Sequence, residues 1–167
     1  MDADYEREIA VSLGTTQVLV VMLGMGVVSI YVIVGVLIVS DALGLTPARG
    51  FPLPAIGCLV ALVLTGASFV IKSALMASVR NAAKSHSWTV LDLLGRYRKA
   101  TVVAAALCDG GAVALAVFVV AAGPGSLLWL AGGLLPLLGF ALHFPTREKL
   151  DGFLVEYRSK GGSNASE

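Results

Sequence analysis

A chain of 167 residues with 57% hydrophobic side chains, a mean hydropathy of +0.86 and only 14% charged residues has too little polar surface to cover a water-soluble domain. Its 12 basic and 11 acidic residues leave a net charge of +1, which excludes the strongly basic footprint of a nucleic-acid binder. The composition points to an integral membrane protein. It also points to an all-α fold, because the apolar runs are too long and unbroken for the alternating strands of a membrane barrel.

The acidic opening MDADYEREIAVSLG lacks the basic start of a secretory leader and reads as a mature N-terminus. Four apolar segments follow, at about 18–39, 55–79, 101–122 and 127–144, each long enough or nearly so to cross about 30 Å of hydrocarbon as a helix. They predict one four-helix transmembrane domain over residues 1–160, arranged as two hairpins, with a disordered polar tail over 161–167.

The connection SDALGLTPARGFPLP holds Gly44, Pro47, Gly50, Pro52 and Pro54, which break helices and supply turns. The stretch SVRNAAKSHSWTVLDLLGRYRK is polar and basic, with Trp88, Leu91, Leu94 and Tyr97 at helical spacing, and predicts a short helix lying in the membrane interface. GPGS, residues 123–126, is a minimal turn that forces the last two spans into an antiparallel hairpin. Beyond the fourth span, Thr146 as a cap and Glu148 in the first turn predict a juxtamembrane helix.

Basic residues cluster in the middle connection (Arg80, Lys84, Arg96, Arg98, Lys99) and near the C-terminus (Arg147, Lys149, Arg158, Lys160), whereas the other two connections hold Arg49 alone. The bias places both termini on the cytoplasmic side of a cytoplasmic (inner) membrane. The lipid bilayer is thus the first expected partner.

Two ionisable residues fall inside spans. Asp109, in ALCDGGAVALAVFVVAAG, stands near mid-depth, where a charge costs about 2.5–3.5 kcal/mol on insertion scales. Lys72, in GASFVIKSALMASV, is the one cation available to it within the spans. Lys72 precedes Arg80 by eight residues, about 12 Å of helix, and Asp109 follows Lys99 by ten, about 15 Å, so the two are expected level and paired in the bundle interior. The pair either fixes the register of two helices or handles an ion or proton.

Small residues, Gly66 in the second span, Gly110 and Gly111 in the third, and Gly132 and Gly133 in the fourth, predict close helix packing, and Pro136 predicts a kink. Cys58 and Cys108 read as small hydrophobic side chains. His143 reads as interfacial, and His86 has no metal partners nearby. Neither a catalytic constellation nor a metal site nor a cofactor motif is found.

The run AALCDGGAVALAVFVV resembles the carboxylate-bearing helix of rotary ATPase proteolipid subunits, where an apolar stretch of small residues carries one acid. The resemblance implies a reversible proton or cation carrier at Asp109, with Gly110 and Gly111 allowing close packing in a ring. Here the acid lies in the third span and not in the last, and Lys72 would hold it. The leading expectation is therefore a small non-enzymatic membrane protein, a subunit or accessory of a larger membrane complex, with other subunits or further copies of itself as partners. A proteolipid-like ion carrier is the alternative.

Overall fold

The structure, a computed structural model, describes residues 3–40, 42, 44, 52–82 and 88–161. Expectations for the remaining positions, among them His86, Lys84, most of the first connection and the tail after 161, lie outside the described residues. Within them the chain forms α1 (Ala3–Val39), α2 (Leu53–Ala82), α3 (Val90–Ala122), a 3₁₀ segment (Pro124–Gly133), α4 (Leu134–His143) and α5 (Arg147–Gly161), and no strand. Helices α1, α2 and α3 and the stretch Gly125–His143 are long and apolar enough to cross a membrane. The fold is an all-α bundle.

Helix α1 shows how a uniformly apolar sequence chooses a face. Its buried residues, Ile9, Thr16, Val20, Val27, Val34 and Ile38, recur at steps of seven and four, the spacing of a narrow seam on a long helix. Leu23, Ile30 and Tyr31 flank this seam, and the opposite side of α1 stays uncovered, with Met22 66% and Val36 61% exposed, which suits a surface facing acyl chains.

Helices α2 and α3 pack most closely. Gly57, Ala61, Thr65 and Ser68 line the buried side of α2, opposite Ala104, Cys108, Gly111 and Leu115 of α3. At Gly111 an added Cβ would lie 3.2 Å from the Ala61 Cα, so the two backbones approach to a distance that only glycine allows without a shift. The sequence singled out Gly66 and Gly110 for the same role. Both are exposed, and an added Cβ would meet nothing within 4 Å at Gly66 and only the Leu64 tip, 3.9 Å away, at Gly110.

The interfacial helix expected in the basic stretch is not a separate element. Thr89 caps α3, its Oγ1 accepting from the Asp92 N–H while the Asp92 carboxylate accepts from the Thr89 N–H, and the helix then runs unbroken to Ala122. Leu94 and Tyr97 consequently turn into the protein, where they join Ile9, Val79, Leu93, Leu150, Phe153 and Leu154 in an apolar cluster. Trp88 stacks on Tyr157 with ring centroids 6.2 Å apart and lies under the Arg96 guanidinium at 3.9 Å.

The fourth crossing is composite. It starts as a 3₁₀ helix and becomes α-helical at Leu134, with Pro136 in the first turn of α4. Pro136 is the position from which the sequence predicts a kink, and a change of helix type lies just before it. Close neighbours surround the glycines: an added Cβ would sit 2.6 Å from the Cys58 Sγ at Gly132 and would overlap the Tyr31 ring at Gly133.

Thr146 caps α5, accepting from the Lys149 N–H at 3.3 Å. The Gln17 side chain donates to the Pro145 carbonyl at 2.9 Å, and Arg147 pairs with Glu6. The start of α1 and helix α5 therefore sit at the same end of the bundle. Replacement of Gly111 by Leu is expected to force α2 and α3 apart and to destabilise the protein by about 1–3 kcal/mol, whereas Gly66→Ala is expected to be neutral or slightly stabilising. Detergent-titration unfolding of the two variants checks the contrast.

Candidate functional site

Three helices bring their polar groups together at one buried node. Ser68 of α2, fully buried, donates its hydroxyl proton to the Thr65 carbonyl at 2.6 Å, and its Oγ lies 2.7 Å from the His143 Nε2 at the end of α4. Either ring tautomer serves this contact: the His143 Nε2 donates to the Ser68 Oγ or accepts a proton from it. The Cys108 Sγ of α3 points at the same oxygen from 3.5 Å. Each helix thereby satisfies a group that lipid would leave unpaired.

Ser68 and His143 stand at the distance of a nucleophile and its base. His143 has no carboxylate within 4.0 Å among the described residues. The node joins α2, α3 and α4. The sequence offered little toward it beyond the tendency of polar residues in spans to face inward; His143, at the end of its span, is turned into the bundle and 2% exposed.

His143 is also a wall of a groove of about 430 Å³ between α2, α3, α4 and α5. Lys72, Arg80 and Lys149 bring cations to it; Phe69, Met76, Leu142 and Phe153 supply apolar surface. Glu156, its one acid, accepts from Arg80 at 2.9 Å. The Lys149 Nζ donates to the Leu142 and Phe144 carbonyls at 2.9 and 3.0 Å, closing the end of α4.

Asp109 and Lys72 are not brought together. No ion pair joins them, and Asp109 accepts no hydrogen bond from any described residue. Register is the reason. With the basic stretch Arg96–Lys99 inside α3, the hairpin closes between Ala82 and Val90; Lys72 stands 10 residues before the first of these and Asp109 stands 19 after the second. The difference of nine residues is about 13 Å along the helices. Lys72 lies toward the end of the bundle occupied by α5, sharing its groove with Tyr97, while Asp109 sits higher, half-exposed, beside the exposed Ala106, Gly110 and Val113.

Four apolar crossings closed around a buried polar node define a helical multi-pass membrane protein. Comparison with protein-family models, with curated proteins and with solved structures returned no match. No group of three or more His, Cys, Asp or Glu side chains suited to a metal ion occurs among the described residues.

Two measurements check this arrangement. In a double-mutant cycle on Ser68→Ala and His143→Leu, the coupling is expected at about 0.6–2 kcal/mol. The same cycle on Asp109→Asn and Lys72→Met is expected to be additive within about 0.5 kcal/mol, because the sites are too far apart to interact directly.

Proposed function

We propose that the chain is a non-enzymatic subunit or accessory of a larger membrane assembly, docked through the face of α3 that carries Asp109. The single observation supporting this reading is a carboxylate at mid-depth in an apolar helix, partly exposed and without a partner among the described residues. Facing acyl chains, the ionised group is costly by several kcal/mol. A neighbouring helix that brings a cation or a hydrogen-bond donor removes that cost, and the small side chains of Ala106 and Gly110 let its backbone come near. The neighbour is another subunit or a second copy of this chain.

The same observation favours a second reading, a proteolipid-like carrier of protons or cations. An acid held by Lys72 would be a poor carrier, and Lys72 does not hold it. On this reading Asp109 takes up and releases its ion at the bundle surface, in contact with a partner that admits it.

Extraction in a mild detergent followed by native mass measurement tests the assembly reading. The expected result is a mass above that of the monomer, reverting to the monomer in Asp109→Leu while helicity and melting behaviour are retained, since the carboxylate makes no hydrogen bond or ion pair among the described residues. A monomeric wild type, or an Asp109→Leu protein that stays assembled, overturns it. For the carrier reading, vesicles reconstituted with the assembly are expected to show proton or cation flux that Asp109→Asn abolishes.

A further inference from the structure

The groove beside His143 is independent of Asp109 and combines two features that a plain packing defect lacks. Its charge is unbalanced: Glu156 is taken by Arg80, and Lys72 and Lys149 are left without a carboxylate among the described residues. Lys72 makes no hydrogen bond there either. Lys149 directs its ammonium to two carbonyls and keeps one further donor free. Two ammonium groups beside one groove call for an anion.

The second feature is how the groove opens. Along α2 its lining runs Arg80, Met76, Lys72 and Phe69, from the end occupied by α5 toward the middle of the membrane, over about 16 Å. Phe69 and Leu142 at the deeper end are 41% and 52% exposed on the outside of the bundle, where acyl chains lie. The groove thus leads sideways into lipid at its apolar end and carries its cations nearer the headgroup level. A free inorganic anion would use the cations and leave the apolar walls wet. A zwitterionic lipid would bring a second cation against Lys72 and Lys149.

We propose that this groove is a binding site for one anionic phospholipid, its phosphate held between Lys72 and Lys149 and its acyl chain laid against Phe69, Met76 and Leu142. Basic pockets between helices at the membrane edge recognise anionic headgroups in this way. The Arg80–Glu156 pair closes the far side of the groove and keeps Arg80 from competing for the headgroup.

The test uses the full chain purified in an uncharged detergent, with phosphatidylglycerol, phosphatidylcholine of the same acyl chains and inorganic phosphate as separate probes. Native mass spectrometry is expected to retain one phosphatidylglycerol per chain, and that lipid alone is expected to raise the melting temperature. Lys72→Gln should weaken the retention about fivefold, Lys72→Arg should restore it, and Lys99→Gln, the same charge change outside the groove, should leave it unaltered. Because Lys72 has no ion-pair partner among the described residues, Lys72→Gln is expected to melt like the wild type without lipid, and Lys72→Arg provides the comparison should it not. Equal retention of phosphatidylcholine, equal protection by inorganic phosphate, or indifference to Lys72→Gln overturns the assignment.

Discussion

The close approach of α2 and α3 sets the height of every polar group in the bundle. With the Gly111 Cα against the Ala61 backbone, the two helices have one register, and the remaining assignments follow from it. Ser68 comes level with Cys108, Lys72 falls beside Tyr97, and Asp109 is carried past any amine on α2. A bulkier residue at Gly111 would leave the helices apolar and helical but would remove the constraint that aligns their side chains. The geometry of the membrane half of this protein thus rests on a missing Cβ more than on any charge.

Once the register is set, the polar residues divide by what their surroundings can satisfy. Ser68, His143 and Cys108 meet inside and satisfy one another, so the hydrocarbon never sees them. Lys72, Lys149 and Arg80 collect where headgroups and water can reach long side chains. Asp109 belongs to neither group. It has no partner among the described residues and no route to the interface, since an aspartate stem is too short to snorkel. The proposed role at a helix contact with another chain follows from that exclusion, and the lipid site follows from the opposite condition, cations with room beside them.

Much of the architecture was legible because hydrocarbon thickness dictates run length. Four apolar stretches, a tight GPGS turn and a Thr146 cap suffice for the crossings, the final hairpin and α5. What hydropathy does not encode is rotation about the helix axis. In the apolar part of α1 valines stand on both sides, Val20, Val27 and Val34 buried and Val21, Val28 and Val36 exposed, so composition does not say which stripe is covered. In α2 the choice fell on Gly66 because glycine is small, yet Gly57 faces α3 and Gly66 faces out. The paired charges failed for a related reason. The basic run after Trp88 looks like a loop by composition, but Thr89 and Asp92 start α3 ahead of it, and the count of heights has to begin there. His143 was missed because burial of a span-end histidine depends on a partner 75 residues away.

The composite fourth crossing has a consequence for the thickness of membrane this protein fits. Ten residues at the longer 3₁₀ rise and ten at the α rise reach about 35 Å, where a uniform α-helix of the same length would reach about 30 Å. The shortest apolar segment in the chain thereby gains enough height to cross about 30 Å of hydrocarbon with a few ångströms to spare. The gain comes from tighter winding, so the type of helix, and not only the number of residues, sets the thickness of bilayer that this crossing fits.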